Sequence, residues 1–600
     1  MTPPFVLLDN SLDDDAPSFL FETPERVICA RNTCETDAAL AEIDAALAEG
    51  KCLAGFFSYE LGYALEARLH SLMPNMQEVP LQWMGVFKEY RKFTRPQTNA
   101  WLQSRARGDY VLSLPRPEWD LPRYAAAFDR LKAYIAAGDL YQLNLTFGVE
   151  CDLQGDAIAL YRDLRRRQPV AFGALIEASD FRILSLSPEL FFRCDGRAIE
   201  TRPMKGTAPR FEDADADRAA ALSLAENEKT QAENRMIVDL MRNDLGRIAV
   251  PAGVSVPRLF HVESYPTLHQ MISVVTAEME KDTSARRLIQ ALFPSGSVTG
   301  APKIRAMEIA RELESGPRGI YTGAIGAFFP DGQALFNVAI RSIFCAPNGK
   351  GARCRMGVGG GVLYDSDLHG EYEEALLKGA FLTGAAAQDF RIFETLRYDR
   401  DGGFSLLDLH VSRMRASAHE WGFAFDETRL LNALQAATEN ANSDASPLRV
   451  KIMLSREGNI ETQCSVFKSE EERRPLRVMI SDRIVDSCNP LLLHKTTRRA
   501  FFDEALAQAR EEGYDEVLFL NERGELTQGS YTNVFVRFRR DGKWQTPPLS
   551  SGLLPGTLRE AMLNAGEAEE RVLTMRDLKA ADAIAVGNAL RGMKPVTAAF

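Results

Sequence analysis

The chain has 600 residues, too many for one hydrophobic core, so two to four domains of roughly 150 residues each are expected. Hydrophobic residues make up 45% and charged residues 26%, the composition of an ordinary soluble globular protein. The net charge of -12, from 71 Lys+Arg against 83 Asp+Glu, excludes a global field for nucleic acid but leaves room for local basic sites that take a small anion.

The nine cysteines form no C-x-x-C pair, which argues for free thiols in a reducing compartment over a disulfide or zinc framework. The N-terminal "MTPPFVLLDNSLDDDAPSF" lacks a basic region followed by a long apolar one, and no apolar run reaches about 18 residues. No signal peptide, no membrane span and a cytoplasmic location are therefore expected.

In chain order, "VAFGALIEA" and "FRILSLSPELFFRC" read as strands, being rich in β-branched and aromatic residues. "ETRPMKGTAPR" is turn-prone and holds Lys205 between Pro203 and Gly206-Thr207. Most lysines are solvated surface charges, so Lys205 needs further support before it is anything else. "EKTQAENRMIVDLMRNDLGRI" reads as a helix with Met236, Ile237, Leu240 and Met241 on one face and Gly246 as its stop. Glu233 lies just before that stripe. His269, in "YPTLHQMIS", is one of seven histidines; such a residue is usually a satisfied core group, though an imidazole is a natural acid–base group beside an anion.

"SVTGAPKIRAMEIARELE" reads as a loop opening a helix with Pro302 near its first position, an anion site by backbone geometry and dipole. Tyr321, Arg341 and the glycines of "GVGGG" (357–361), taken to close a strand, suggest a carboxylate-bearing ligand that approaches the backbone closely. Glu371 and Glu374 share a helix face, with Lys378 one turn beyond. Together with Glu233 they are candidates for Mg²⁺, which takes one or two protein carboxylates and fills its shell with water and substrate. A helical pattern then ends near Phe381, and the small residues Thr383 to Ala387 mark a linker at 385–389 between a domain at 1–384 and one at 390–600. Both parts mix strands with helices, an α+β or α/β pattern.

Residues from about 110 to 382 resemble the chorismate-utilising enzymes through "GDLYQLNLT", "SPELFF", "PMKGT", "AENRMIVDLMRNDLGR", "HVESYPTLHQM", "FPSGSVTGAPKIRAMEI", "PRGIYTGAIG", "FNVAIRS" and "GVGGGVLYDSD…EYEEALLK". The resemblance implies an α/β sandwich of large antiparallel sheets. It implies that Glu233 and Glu374 hold Mg²⁺ against chorismate with Glu371 close by. Tyr321, Arg341 and Gly359, Gly360 and Gly361 would hold the other carboxylate, His269 and Lys378 would line the site, and Gly206 and Thr207 would touch the substrate. Thr230 stands where relatives often carry an acidic residue, and "AGFFSYELGYALE" lies where they have a tryptophan pocket. Family members that aminate C2 of chorismate carry Ala at the position of Lys205, whereas those that aminate C4 carry Lys. In the latter, the lysine adds to C2 as the C4 hydroxyl leaves, and ammonia then enters at C4. Glu189 would be the acid that protonates the departing hydroxyl. No amidotransferase-like Cys/His pattern is present, so ammonia is expected from a separate glutamine amidotransferase subunit.

From Phe390 onward the chain resembles the fold-type IV pyridoxal phosphate enzymes through "FETLR", "LDLHVSRMRASA", "HKTTRR", "GELTQGSYTNVF", "LLPGTLRE" and "GNALRGMKPV". This implies that Lys495 forms the Schiff base, that Arg413, Gly556 and Thr557 hold the phosphate, and that Gln528 faces the pyridine nitrogen, where the family usually has Glu. The joint implication is a two-step conversion of chorismate and ammonia to 4-aminobenzoate and pyruvate, a folate precursor route. The alternatives for residues 390–600 are an amino-acid aminotransferase or a catalytically silent dimerisation module, since this family commonly forms homodimers.

Overall fold

The computed structural model describes residues 3–74, 78–211, 213–265, 268–349, 351–386, 390–439, 447–467, 474–539 and 542–598. Two large antiparallel sheets dominate the first part. One runs from Gly300–Ala301 through Gln142–Gly155, Gly351–Val362, Ser342–Asn348, Arg182–Ser187, Phe172–Glu177, Phe5–Asp9 and Ser18–Glu22 to Arg91–Phe93. The other runs from Met204–Pro209 through Leu268–Met279, Ala198–Thr201, Leu190–Asp195, Ala334–Val338, Ala324–Phe328, Cys52–Phe57 and Gln82–Phe87 to Arg26–Ala30.

The sheets face each other across an aromatic core that includes Phe56, Trp83, Phe181, Ile325 and Phe344. Each such side chain, fully buried, contributes about 1.5–3 kcal/mol relative to exposure. The outer face of the first sheet is covered by the helices Leu121–Ala136, Ala157–Arg167, Lys303–Leu313 and Leu368–Leu377. The helices Thr33–Ala48, Glu228–Gly246 and Ala285–Leu292 cover the second. The result is the α/β sandwich expected of residues 1–384.

Several expectations change in detail. "FRILSLSPELFFRC" is two strands, Arg182–Ser187 and Leu190–Asp195, in different sheets. Pro188 has no N–H to continue a ladder, and the chain crosses from one sheet to the other at Pro188–Glu189. The glycines 357–361 close a strand as expected: they are the last residues but one of Gly351–Val362 and pair with Gln142–Gly155. The ladder with Ser342–Asn348 begins only at Ile343–Met356, so this glycine run has one edge that it does not share with that strand. The "SVTGAPK" loop runs into a helix with Pro302 at its N-cap, as expected, but the loop has structure of its own. A 3-10 turn at Gly296–Val298 and the two-residue strand Gly300–Ala301 come first, and the helix starts at Lys303. The helical pattern does not end at Phe381 either: a second helix, Ala380–Ala386, follows Leu368–Leu377 after a break at Lys378–Gly379. Alanine is the best helix former, so its small residues support helix rather than linker. Residues 387–389 of the expected linker lie outside the described residues.

Beyond Phe390, a four-stranded antiparallel sheet, centred on Ile392–Asp399 and Leu448–Leu454, accompanies an eight-stranded mixed sheet. In the mixed sheet Leu476–Val485 runs parallel to both of its neighbours, Glu516–Asn521 and Gly592–Ala598. Among the described residues no helix is long and apolar enough to cross a membrane.

Candidate active sites

Lys205 sits on the edge strand Met204–Pro209, where the register with Leu268–Met279 slips between Met204 and Thr207. Gly206 takes φ 79°, a conformation that costs glycine little. A Cβ at Gly206 would collide with the methyl of Thr230, so the bulge lies directly against the helix Glu228–Gly246. Gln270 brackets it: its amide donates to Gly206 O (2.6 Å) and its Oε1 accepts from the Thr207 hydroxyl (3.0 Å).

This bulge and its surroundings bring Lys205 into the field of Glu189, Glu233, Glu374 and Lys378. Burial and then Lys378 lower its pKa, while the three carboxylates oppose that shift. Glu189, at the sheet crossover, is 4% exposed. Burial lifts its carboxyl to about 7 against the Ser297 hydrogen bond and Lys205. It is therefore poised near neutrality, as an acid that must give up a proton should be.

The other carboxylates come from two helices. Glu233 lies on Glu228–Gly246, and burial raises its pKa with help from Glu371 and Glu374. Glu371 and Glu374 lie on Leu368–Leu377; Glu371 accepts from the Ser366 hydroxyl (2.6 Å) and Glu374 pairs with Lys378 (2.8 Å). Lys378 also donates to Gly359 O (2.9 Å), and a Cβ on Gly360 would stand 3.0 Å from Glu371 Oε2. The glycine run thus lets the backbone approach this cluster. Among the described residues no three His, Cys, Asp or Glu side chains form a ready metal cluster. Even so, Glu371 and Glu374 on one helix raise the pKa of Glu233 on another, while Lys378 holds Glu374 below its ordinary value against burial, and carboxylates gathered in this way are the hard-oxygen donor chemistry that suits a divalent cation.

Three predicted residues lie differently from the Lys205 cluster. His269 is 1% exposed, with Nδ1 bonded to Ser264 Oγ (2.8 Å) and Nε2 to Asp217 Oδ1 (2.9 Å). Both ring nitrogens are committed, and Asp217 is in turn held by Arg210; His269 thus belongs to a hydrogen-bonded network that ties its strand to Asp217 of the helix Ala214–Glu226. Tyr321 is buried with its ring over Gly357, and its charged neighbours are Arg318 and Glu314. Arg341 has φ 52°, is half-buried, and has its pKa lowered by burial. Among the described residues no carboxylate pairs with it.

Residues 54–63 of "AGFFSYELGYALE" are buried. Cys52–Phe57 is an entirely buried strand, and Glu60 accepts the N–H groups of Arg318 (2.6 Å) and Gly319 (3.0 Å). The cavity between the sheets, about 650 Å³, is lined instead by residues such as Leu8, Phe19, Phe172, Arg193, Glu200 and Asn337.

In the second part, Arg413, Lys495, Gln528, Gly556 and Thr557 all line one cavity of about 530 Å³. Burial, then Arg413, pushes Lys495 down to about 7, with Arg499 and Lys451 adding and Glu394 opposing. Glu394 is 2% exposed and binds Arg413 through both oxygens (2.8 and 2.6 Å) and His410 Nδ1 (2.7 Å). Despite burial, Arg413 and His410 hold it down at about 2. Arg413 also donates to Pro555 O (2.8 Å), which leaves two of its five N–H groups for a ligand. Gly556 is the N-cap of Thr557–Asn564, with no side-chain cap, and a Cβ there would collide with Asn533. The open helix start, the Thr557 hydroxyl and the spare Arg413 donors together suit a phosphate. Gln528 Oε1 accepts from Leu554 N–H (2.8 Å).

Sequence reasoning missed Gln270, Ser297, Lys229 and Glu394. All four stand inside the sequence stretches singled out above, so a signal existed. Gln270 and Lys229 act only through the bulge and through the field at Glu233.

Residues 21–384 match the family model of chorismate binding enzymes, and residues 391–599 match that of class IV amino-transferases. The chain is 42% identical over 255 residues to aminodeoxychorismate synthase component 1 of Salmonella typhimurium, covering 42% of this chain and 55% of the relative. It is 36% identical over 343 residues to aminodeoxychorismate synthase component 1 of Escherichia coli, covering 54% and 74%. It thus spans about half to three quarters of the length of these relatives. In fold it resembles anthranilate synthase component I from Streptococcus pneumoniae (TM-score 0.50, 23% identity, 64% of this chain and 93% of that one). It also resembles the menaquinone-specific isochorismate synthase MenF of Escherichia coli (TM-score 0.52, 15% identity, 64% and 89%).

Proposed function

The chain belongs to the chorismate binding enzyme family, and from that premise we propose that it runs two consecutive steps: amination of chorismate at C4, then elimination of pyruvate to leave 4-aminobenzoate. The observation that carries this reading is Lys205, an amine lowered by burial and Lys378 and set among Glu189, Glu233 and Glu374. A relative that aminates at C2 has no use for a nucleophile there.

In the first step the free amine of Lys205 adds to C2, the ring double bonds shift, and the C4 hydroxyl departs. Glu189, half protonated near neutrality, gives that hydroxyl its proton, so it leaves as water. Ammonia then bonds to C4 and expels Lys205 from C2, which restores the amine. Glu233 and Glu374 would hold Mg²⁺, which neutralises a substrate carboxylate; Glu374 would exchange its Lys378 partner for the ion. Arg341, with no carboxylate partner among the described residues, suits the other carboxylate. Ammonia comes from a separate amidotransferase subunit.

For the second step, residues 391–599 would bind pyridoxal phosphate, which supplies an electron sink for the carbon that bears the amino group. Arg413, Thr557 and the helix start at Gly556 hold its phosphate. Lys495, close to half deprotonated at neutral pH, takes the proton from C4, and the enolpyruvyl group leaves C3 as the ring becomes aromatic. A cavity with a depressed lysine supports a catalytic role over a silent dimerisation module.

The test is to incubate the chain with chorismate, ammonium, Mg²⁺ and pyridoxal phosphate and identify the product. 4-Aminobenzoate with pyruvate is expected, and anthranilate would overturn the Lys205 reading. Glutamine in place of ammonium should give no product until the amidotransferase is added.

A further inference from the structure

The two parts of the chain meet where the turn 107–110 docks on residues 486–498. The first part holds this turn from within. Asp156, at the N-cap of the helix Ala157–Arg167, accepts from Ile158 N–H (2.8 Å) with one oxygen and from Arg107 N–H (2.5 Å) with the other. Its own N–H donates to Asp109 O (3.1 Å). Tyr110 then enters the first sheet opposite Gly155, and its hydroxyl donates to Asp163 (2.7 Å). Two carbonyls of the turn reach the second part. Arg107 O accepts from Asp486 N–H (3.1 Å), and Asp109 O accepts from Asn489 Nδ2 (3.1 Å). The Arg498 guanidinium lies 4.9 Å from the ring centroid of Tyr110.

Asn489, 4% exposed, uses both ends of its amide. Its Nδ2 donates to the first-domain carbonyl, and its Oδ1 accepts from Leu491 N–H (3.0 Å), which caps the 3-10 turn Pro490–Leu493. A carbonyl on one side and an N–H on the other satisfy a buried amide in one orientation only. A Cβ on Gly108, itself buried, would collide with that amide. Glycine permits the approach, and a methyl there would push Asn489 off its bonds.

The 3-10 turn leads straight to Lys495. Leu491 and Leu492 are each 6% exposed, and with His494 they line the cavity that holds Lys495. His494 N–H donates back to Leu491 O (3.1 Å), and its Nδ1 is bonded to Ser417 Oγ (2.9 Å). Lys495 O accepts from Phe393 N–H (2.9 Å). The segment is thus held by second-domain groups at His494 and Lys495, and by a first-domain carbonyl at Asn489.

We propose that the first domain completes the second site: Asn489, docked on Asp109 O, is a positioning residue for Lys495. If Asn489 moves, Leu491 N–H is left buried without an acceptor, a cost that the turn escapes only by shifting. Because the cavity wall is close-packed side chains, a shift at Leu491 and Leu492 is passed on to the lysine three residues further along.

This inference rests on the cofactor reading of the second domain. The test uses the full chain with Gly108→Ala, in the first domain, and Asn489→Asp, in the second; neither residue touches the Lys205 cluster. Aspartate keeps an oxygen for Leu491 N–H but sets the other against Asp109 O, so it removes the docking bond and spares the cap. One readout is pyridoxal phosphate affinity by absorbance. The other is the pH midpoint for reductive alkylation of Lys495 in the cofactor-free chain, which burial, Arg413, Arg499 and Lys451 set at about 7 against Glu394. Chorismate consumption in ammonium reports on the first domain. In both variants the cofactor should bind about three- to tenfold more weakly, as for one lost hydrogen bond. The midpoint should rise as Lys495 gains water, with chorismate consumption unchanged. Unchanged affinity and midpoint in Gly108→Ala overturn the proposal. So does wild-type behaviour of Asn489→Asp, which would show that the cap suffices without the first domain. Weaker binding with an unmoved midpoint overturns the positioning role, since lost stability alone would produce it. A wild-type chain that binds no pyridoxal phosphate would refute the reading of the second domain, while the midpoints still decide the coupling.

Discussion

Lys205 sits among carboxylates and Lys495 among cations. Around Lys205, Glu233, Glu189 and Glu374 favour the ammonium form, and only burial and Lys378 work against it. Around Lys495, burial, Arg413, Arg499 and Lys451 all favour the neutral amine, and its one opposing carboxylate, Glu394, is already committed to Arg413 and His410. The second lysine is therefore poised by the protein alone, at about 7. The first gains most when its carboxylates are neutralised, by a cation between Glu233 and Glu374 and by a proton on Glu189. On the proposed reading, one amine would be prepared by the fold and the other by its ligands.

The comparison breaks most sharply when each lysine is removed. Lys205→Ala should abolish 4-aminobenzoate formation from chorismate while pyridoxal phosphate binding is unchanged. Lys495→Ala should leave chorismate consumption intact and let 4-amino-4-deoxychorismate accumulate. Chromatography of both reactions checks this, and loss of both steps in either variant would mean that the sites are not independent. Next in size is Glu189→Gln. A general acid is typically worth 10²–10⁴-fold, so about a hundredfold slower chorismate consumption is expected, with cofactor binding unaffected.

Acidity sharpens the contrast further. A folded-state value of about 7 for Lys495 makes it a free base above that pH, where an exposed lysine, near 10.4, is still protonated. Reductive alkylation of Lys495 by a small aldehyde in the cofactor-free chain should rise through about pH 7, read by peptide mass spectrometry. The sign also fixes a stability trend. Between about pH 7 and the unfolded lysine value the unfolded chain holds a proton that the folded one has lost, so this group makes stability rise with pH. A rise in alkylation only above about pH 9 would show that burial and the cations around Lys495 do not lower it.

Much of this was legible in the sequence because the chemistry is clustered in short motifs. The five candidate residues of the second site fall in four such motifs and line one cavity. The helix face of Glu371 and Glu374 followed from spacing alone. What stayed hidden was tertiary. Periodicity cannot show that Pro188–Glu189 crosses between sheets, since both flanking runs are strand-like. Nor does it show that Gly206 is a bulge pressed on Thr230, or that His269 spends both nitrogens on Ser264 and Asp217. The Ala380–Ala386 helix was misread because small residues suit both a linker and a helix, and composition alone cannot choose between them. The docking of residues 107–110 on Asp486, Asn489 and Arg498 of the second part left no local signal at all.

The smallest expected effect is at Gln528, and it concerns what the second site does once its lysine has acted. The resemblance places a glutamate at this position, against the pyridine nitrogen. A carboxylate keeps that nitrogen protonated, and a protonated ring draws electrons strongly from the substrate carbon. Gln528 is neutral, and its Oε1 already accepts from Leu554 N–H, so its amide N–H groups are what it can offer the ring. A hydrogen-bond donor favours the unprotonated nitrogen, which makes the weaker electron sink. Transamination needs a carbanion that lives long enough to be reprotonated on the cofactor. Elimination of pyruvate is driven by aromatisation and manages with less. Gln528→Glu can keep the Leu554 bond with one oxygen and present the other to the ring. It should raise transamination of ordinary amino acids severalfold relative to pyruvate release, measured side by side. An unchanged ratio would mean that Gln528 serves only to hold Leu554 and does not tune the reaction.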